Sequence, residues 1–363
     1  MKIKRIFCGA LAVGMLLGQT SSVLAEAVSS PTPTPNPHTE YYAQAADTDS
    51  IEGWPTGPQI EAQSAVLMDL NSEAILYSKN ADTQLYPASI TKLLTCLLGC
   101  ENLDTSAQIT LSQQAAYGIE AGSSTIYGDA GEVFTVEQAL MGLMLESANE
   151  CSYAVAEHVG GGDYQKFIDM MNAKAAELGC TNTHFNNCNG LPDPAHVVSA
   201  RDMALISREA IKNSMFRKIV GTVRYEIPPT NKHADPTPLN NHHQMISAYK
   251  GRQNLYEYCI GGKTGWTSDA GNTLVTFAEK DGMTLICVVM NCTAVNMLIR
   301  EHCLTIVLKT SNFIMWHRTR HAMRIQINRK TRCSRNGMPL QKWKMTHRSS
   351  FRQLLIFWIP RQM

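Results

Sequence analysis

The hydrophobic period of this 363-residue chain changes twice along its length, and that change constrains the fold more than any other feature. Residues 64–79 alternate in polarity and break at Asn71-Ser72, which is typical of a β-hairpin. Helical patterns occupy the middle, and the alternation returns in residues 259–265, 272–279 and 283–291, with a turn at Asp281-Gly282. Strands at both ends and helices between them are not a βαβ alternation. The pattern therefore predicts an α+β domain, in which helices pack against an antiparallel sheet made from both ends of the chain.

Helix signals mark the middle of the chain. Pro87 introduces a helix whose buried side we expect to carry Leu93, Leu94, Leu97 and Leu98. A capping box at residues 135–138 predicts the start of a second helix, and two more helices are predicted over residues 151–158 and 163–178. A second N-terminal box at residues 199–202 predicts a helix that ends at about residue 212. These helices form the predicted layer over the sheet.

The N-terminal region has the composition of an export signal followed by a spacer. A basic start, an apolar run over residues 6–17 and the small-residue site 23–25 predict a signal peptide over residues 1–25. A retained membrane anchor is the alternative, although the run is short for a bilayer. Residues 26–60 are rich in Ser, Thr and Pro and are predicted to form an extended linker. The folded domain is placed at residues 61–296, and the protein is expected outside the cytoplasm.

Charge divides the chain near Asn296. Residues 1–296 hold 18 Lys and Arg against 30 Asp and Glu, whereas residues 297–363 hold 14 against 1. This basic tail lacks helical periodicity, so our main hypothesis is a reading-frame shift near Asn296. A native basic tail and a membrane-surface segment remain alternatives, with at most peripheral membrane contact. Nucleic-acid binding is the weakest interpretation, because an exported protein meets little nucleic acid.

The 11 cysteines do not form the framework of a small disulfide-rich protein in a chain of this length. Several lie in apolar runs, where a free thiol packs as a small hydrophobic group. A Cys180–Cys188 disulfide is left open as a minority alternative. His158 precedes three glycines and is interpreted as capping a helix end, and no zinc-type spacing is found. We therefore expect no metal and no cofactor.

Three short motifs occur in order along the chain: Ser89-Ile90-Thr91-Lys92, Ser147-Ala148-Asn149 and Lys263-Thr264-Gly265. A spacing of three places the Ser89 hydroxyl and the Lys92 amine on one helix face, one turn apart. Such an amine activates the serine only when neutral, and burial and a second cation, Lys263, would both lower its pKa. Each motif alone is better explained as a helix cap or a solvated strand end. Residues 247–250 and 334–336 match two of the patterns by chance, so order and context decide.

That context resembles a known family. Residues 87–95 (PASITKLLT), 142–150 (GLMLESANE) and 261–267 (GGKTGWT), with the stretch 182–204, are similar to the motifs of the low-molecular-mass penicillin-binding proteins, the serine-type D-Ala-D-Ala carboxypeptidases. The likeness covers about residues 62–296. It implies a β-lactamase/transpeptidase-like domain, with a helical subdomain and an antiparallel sheet flanked by helices.

The resemblance implies catalytic roles for three residues. Ser89 would attack the bond between the terminal D-alanines of peptidoglycan stem peptides and form an acyl-enzyme. Lys92 would accept its proton, and Ser147 would relay a proton to the leaving D-alanine. Penicillin and other β-lactams would acylate Ser89 as inhibitors.

Substrate-binding roles follow from the same resemblance. Asn149 would hold the substrate amide, and Lys263 and Thr264 would bind the terminal carboxylate. Gly265 would let the strand approach the ligand closely. Trp266, where the family more often has Tyr or His, would contribute its backbone N–H, with that of Ser89, to an oxyanion hole.

The chain departs from the family pattern at two places. Ala148 and Glu150 replace the usual glycine and aspartate, and the tail after residue 296 does not match the family's C-terminal elements. A serine β-lactamase is an alternative, although no acidic deacylation loop is found. A penicillin-binding module impaired by its altered C-terminus is the other alternative.

Overall fold

The computed structural model describes residues 39–54, 56–280 and 282–292. The strands are β1 (Ser64–Asp69), β2 (Ile75–Lys79), β3 (Gln108–Thr110), β4 (Val133–Thr135), β5 (Arg224–Ile227), β6 (Thr237–Asn240), β7 (Cys259–Thr267), β8 (Gly271–Lys280) and β9 (Met283–Cys292). The helices are α1 (Thr39–Tyr42), α2 (Lys92–Asn102), α3 (Gln113–Tyr117), α4 (Val136–Met141), α5 (Asn149–Gly160), α6 (Tyr164–Glu177), α7 (Ala200–Ala210) and α8 (Ser214–Gly221). Short 3₁₀ helices span Asp47–Ser50 and Ala88–Thr91, and a π-helical turn spans Gly142–Glu146.

A five-stranded antiparallel sheet in the order β2-β1-β9-β8-β7 forms the centre of the fold. The hairpin of β1 and β2 pairs with β9, the last strand in the described residues, since Ala65 lies opposite Val289 and Val66 opposite Val288. The prediction of a sheet made from both ends of the chain is therefore confirmed. Strands β3 with β4 and β5 with β6 form two small additional sheets that the sequence analysis did not predict.

Both faces of the central sheet are buried. Val66 and Met68 face a core shared with the helices, whereas Ala65 and Leu67 face a second cluster on the opposite side. We call these the helix-side core and the outer cluster. All six residues of β1 are buried, so its apolar positions lie on both faces of the sheet.

The helices cover one face as their patterns predict. Leu93, Leu94, Leu97 and Leu98 of α2 are all buried in the helix-side core. Thr135 begins α4 with the predicted capping box, in which its side chain accepts from the Gln138 backbone N–H and Gln138 accepts in return. Asp163 and Ser199 also cap α6 and α7, because their side chains accept from the backbone N–H groups of Lys166 and Asp202.

The end of the predicted linker differs from an extended spacer. Ala46 and Ile60 are buried in the outer cluster, and the Tyr77 hydroxyl donates to the carbonyl of Pro58. Lys79 is fully buried beneath this segment and donates to the carbonyls of Tyr41 and Ile60. The outer face of the sheet is apolar, and this polar-looking stretch supplies apolar side chains that cover it.

Several predictions concern residues outside the described ranges. These are the signal peptide at residues 1–25, the first part of the linker, Asp281 of the predicted turn and the tail at residues 297–363. Within the described ranges, Cys180 and Cys188 are free thiols, so the minority disulfide alternative is wrong. No helix in the described part of the chain has the length and apolar character needed to cross a membrane.

Candidate active site

A turn of 3₁₀ helix presents Ser89 at the start of α2. Ala88, the residue before it, has a left-handed φ of 49°, which costs a non-glycine residue about 1–2 kcal/mol. The backbone reverses sharply there, and Ser89 enters the helix one turn before Lys92. The Nζ atom of Lys92 lies 3.1 Å from the Oγ atom of Ser89. The predicted pairing of hydroxyl and amine on one helix face is therefore present.

Lys92 is completely buried, and two oxygen atoms hold its amine. Nζ donates to Oδ1 of Asn149 at 2.8 Å and to the carbonyl of Asn189 at 2.7 Å. A neutral amine has two N–H groups and one lone pair, so these two contacts leave the lone pair for the hydroxyl of Ser89. Burial lowers the pKa of Lys92 to about 7, against the opposing effects of Cys188, Glu150 and Cys151. Lys92 is thus positioned to act as a base near neutral pH.

Ser147 faces the cleft from the end of a distorted helix. Helix α4 continues into the π-helical turn Gly142–Glu146, and Ser147 closes that turn with a left-handed φ of 63°. π-Helical turns are uncommon and frequently occur at functional sites. The Oγ atom of Ser147 is buried and has no hydrogen-bond partner. A buried hydroxyl without a partner is costly in an apolar core, but it is available to a substrate here.

Lys263 lies on β7, and its side chain is buried rather than solvated. Its Nζ donates to the carbonyl of Thr264 at 2.9 Å. Burial, and then the charge of Lys92, hold the pKa of Lys263 well below its usual range, while Glu146 opposes this effect. The charge of Lys92 thus lowers the pKa of Lys263, whereas the sequence predicted that Lys263 would lower the pKa of Lys92. For Lys92, however, burial is the leading cause of the lowered pKa.

Gly265 permits β7 to approach the nucleophile. A Cβ atom at this position would stand 2.8 Å from the backbone nitrogen of Ser89 and 2.4 Å from Oγ1 of Thr273. From the sequence, we expected Gly265 to let this strand approach the ligand closely. In the structure, the strand lies close to the backbone of Ser89 itself. β7 is the terminal strand in the order of the sheet, pairing with β8 on one side. Trp266 follows on the same strand, and 66% of its surface is exposed.

The cleft between these elements has a volume of about 240 Å³. Five predicted residues line it: Ser89, Ser147, Thr264, Gly265 and Trp266. The other three predicted residues, Lys92, Asn149 and Lys263, are buried behind this wall. Within the structure, Asn149 places its side-chain oxygen on Lys92, and Lys263 places its amine on a backbone carbonyl.

The remaining residues that line the cleft were not predicted from the sequence. They are Ser124, His242, Gln244, Lys250, Asn272, Thr273 and Leu274. Lys250 belongs to the stretch interpreted above as a chance motif match, yet the structure places it in the cleft. His242 lies 2.9 Å from Oε2 of Glu146, whose pKa is lowered because hydrogen bonds from His242 and Asn240 outweigh the effect of burial. No spacing in the chain indicates these residues, which lie in loops and on β8, since they meet the motifs only in three dimensions.

A sequence profile of the D-alanyl-D-alanine carboxypeptidases (peptidase family S11) matches residues 52–294. The chain belongs to this family. It is 37% identical over 234 residues to the D-alanyl-D-alanine carboxypeptidase DacF of Bacillus subtilis, covering 63% of this chain and 57% of that protein. It is 32% identical over 251 residues to the D-alanyl-D-alanine carboxypeptidase of Streptomyces strain K15, covering 66% of this chain and 84% of that protein.

Solved structures of the D-alanyl-D-alanine carboxypeptidase family share the fold. The crystal structure of the Streptomyces K15 DD-transpeptidase superimposes with a TM-score of 0.61 at 31% identity, covering 67% of this chain and 94% of that one. The D-alanyl-D-alanine carboxypeptidase DacD from Francisella tularensis gives a TM-score of 0.59 at 27% identity, with 66% and 68% covered. The predicted α+β transpeptidase-like fold is therefore confirmed. The chain spans little more than half the length of its Bacillus relative.

Proposed function

We propose that the protein is a serine-type D-Ala-D-Ala carboxypeptidase that removes the terminal D-alanine from peptidoglycan stem peptides. One observation carries the proposal: the buried amine of Lys92 lies 3.1 Å from the Ser89 hydroxyl, with its two other contacts made to oxygen atoms. This arrangement lets Lys92 accept a proton from Ser89, which makes the hydroxyl nucleophilic. Membership of the carboxypeptidase family supplies the substrate class.

Acylation begins when the Ser89 oxygen attacks the carbonyl carbon of the penultimate D-alanine and its proton moves to Lys92. The carbon–nitrogen bond then breaks, and the leaving D-alanine takes a proton at its amine. Ser147 has its unpartnered hydroxyl in the cleft and provides the relay for that proton. Water next attacks the ester on Ser89, gives its proton to Lys92 and restores the free serine.

Strand β7 binds the substrate along its edge. The backbone N–H groups of Ser89 and Trp266 form the oxyanion hole, in which each donor contributes about 10²–10³ in rate. Thr264 in the cleft wall binds the terminal carboxylate, and Lys263 supplies positive charge from behind the wall. Asn149 acts on the substrate amide and, through its oxygen, on Lys92.

D-alanine release from diacetyl-Lys-D-Ala-D-Ala tests the proposal, with a fluorescent penicillin as a label for Ser89. We expect the chain to release D-alanine and to be labelled, and Ser89→Ala to do neither. Labelling without release would contradict peptidase activity and favour the impaired module. Turnover of nitrocefin that exceeds D-alanine release would favour a β-lactamase. Residues 26–296 and the full chain are compared in parallel.

We also propose that the protein acts outside the cytoplasm, in contact with the cell wall and with at most peripheral membrane contact. The support is the signal-like composition of residues 1–25 and the location of peptidoglycan. Fractionation of cells that express the full chain tests this, and retention of an uncleaved chain in the cytoplasm would contradict it.

A further inference from the structure

His196 is a buried histidine that links the nucleophile helix to the loop at residues 186–190. Only 1% of its surface is exposed. Its Nε2 atom lies 2.9 Å from Oγ1 of Thr91, which stands between Ser89 and Lys92. Its Nδ1 atom lies 2.9 Å from the backbone nitrogen of Asn186 and 3.2 Å from that of Asn187.

These contacts determine the protonation state of His196. Backbone N–H groups only donate, so Nδ1 accepts from both and carries no proton. The single proton of the ring is therefore on Nε2, which donates to Thr91. Burial lowers the pKa of His196 to about 4; His184 and Lys92 act in the same direction, and Asp193 opposes them. The imidazole is neutral throughout the pH range in which Lys92 titrates.

The loop held by His196 also contacts the amine of Lys92. The Asn187 side-chain oxygen accepts from the backbone N–H of Gly190 at 2.7 Å and of Asn189 at 3.3 Å. The carbonyl of Asn189 in turn accepts from Nζ of Lys92 at 2.7 Å. Hydrogen bonds thus connect Thr91 to His196, His196 to the loop, and the loop to Lys92. Lys92 is the residue that follows Thr91 in the chain.

We propose that His196 is a positioning residue, which holds the loop so that the Asn189 carbonyl stays on Lys92 and the amine's lone pair points at Ser89. This rests on the proposed function, in which Lys92 is the base. The loop has other anchors, because the Cys188 carbonyl accepts from Thr95 and its N–H donates to Tyr164. Loss of the imidazole contacts therefore displaces the Asn186–Asn189 backbone without unfolding the loop.

Displacement of the loop changes the solvation of Lys92. Water enters beside the amine when the Asn189 carbonyl moves away, and hydration stabilises the ammonium form. The titration midpoint of Lys92 then moves upward, toward that of an exposed lysine. A rise of one unit in this midpoint lowers the neutral fraction of Lys92 about tenfold at any pH well below the original midpoint.

Two substitutions test the contacts of Nδ1 and Nε2 separately. His196→Asn places an amide oxygen near the position of Nδ1, so it can still accept from the loop. His196→Gln extends its amide toward Thr91 and gives up that acceptor. The Lys92 titration is followed by NMR of protein labelled at lysine ¹³Cε, with Lys92→Arg to assign the signal. We expect the midpoint to rise by about one pH unit or more in His196→Gln and by much less in His196→Asn.

His184→Gln is the matched control, because this exposed histidine pairs with Ala195 in the same region and should leave the titration unchanged. Thr91→Val removes the partner of Nε2 and should give a smaller upward shift. A wild-type titration in folded Thr91→Val contradicts the proposal, whether or not His196→Gln folds. The measurement needs no turnover, so failure of Ser89 to react with penicillin would count against the proposed function alone.

Discussion

Gly190 lies directly against the carbonyl oxygen of Ala88: a Cβ atom at position 190 would stand 1.8 Å from it. Ala88 has a left-handed backbone, and Gly190 has a φ of +92°. The loop that carries the Asn189 carbonyl is thus packed backbone to backbone under the residue before the nucleophile. A side chain at position 190 has no room, because it would collide with backbone atoms. Backbone atoms cannot move aside as the end of a flexible side chain could.

Gly190→Ala should therefore lower both stability and acylation of Ser89. The expected loss is about 2–4 kcal/mol, since overpacking adds to the cost of a left-handed alanine. Chemical denaturation measures the free energy of unfolding. Gly179→Ala is the control, because Gly179 has a φ of +84° but open space around it. Equal losses at positions 179 and 190 would show that the contact with Ala88 is unimportant.

Acylation should depend on pH through Lys92. The pKa of this amine is lowered to about 7, so the neutral base is lost as the pH falls through 7. Below that value the acylation rate should drop about tenfold per pH unit. Stopped-flow measurements with a fluorescent penicillin from pH 5 to 9 test this. Lys92→Arg, which keeps its proton, should be unreactive across the range, and a flat wild-type profile would exclude Lys92 as the base.

Glu150→Gln should move the fall in acylation rate on the acidic side of the profile (the acid limb) to lower pH. The Glu150 carboxylate is buried one residue after Asn149 and favours the charged form of Lys92, so its removal makes the amine easier to deprotonate. Glutamine retains an oxygen that can accept from Thr125 and from the backbone of Ile126, as Glu150 does. The same stopped-flow profile detects the shift. Glu157→Gln, at the other end of α5, is the control; a limb displaced upward in Glu150→Gln would refute the prediction.

Lys79→Met should loosen the segment that precedes β1. Lys79 is buried and donates to the carbonyls of Tyr41 and Ile60. The Tyr41 carbonyl also accepts from the backbone N–H of Gln44, so methionine leaves the Ile60 carbonyl without its lysine donor. An unsatisfied buried carbonyl costs about 1–3 kcal/mol, so stability should fall by that order. Chymotrypsin should then cut near Tyr41 or Trp54 faster than in the wild type. Lys212→Met, at an exposed ion pair, should leave cleavage unchanged.

The stability difference between wild type and Lys79→Met should also vary with pH. Burial lowers the pKa of Lys79 to about 8, below its unfolded value of about 10.4. The unfolded chain therefore binds more protons between these values, and wild-type stability relative to the variant rises as the pH increases from 8 to about 10. Denaturation curves at pH 7 and pH 10 measure the difference. A constant difference would indicate that Lys79 remains charged in the folded protein.

Local patterns predicted most of the elements that build the site. Thr135 caps α4 because its hydroxyl and Gln138 are three residues apart, and that spacing is visible in the sequence. The four leucines of α2 identify the buried side, which leaves Ser89 and Lys92 on the cleft side. These signals depend on neighbours along the chain, so no tertiary information is needed to interpret them.

The contacts that complete the site are not local. His196 bonds Thr91 across 105 residues, and the Asn189 carbonyl meets Lys92 across 97. A backbone carbonyl has no identity in the sequence, so its role could not be predicted from residue type. The π-helical turn before Ser147 likewise looks like a continuation of α4, since its apolar residues keep the helical pattern. Its left-handed end depends on tertiary packing.

The position of β9 between β1 and β8 has a consequence for how the protein matures. Within the central sheet, the hairpin that leads to Ser89 pairs with residues 283–292, more than 200 positions later, and β8 separates these residues from the strand of Lys263. Pairing over such separations is slow, because a long loop must close before any contact rewards it. A chain still emerging from the ribosome holds Ser89, Lys92 and the strand of Lys263 before β9 can join the two parts of the sheet, so we expect Ser89 to become reactive only after β9 has been synthesised.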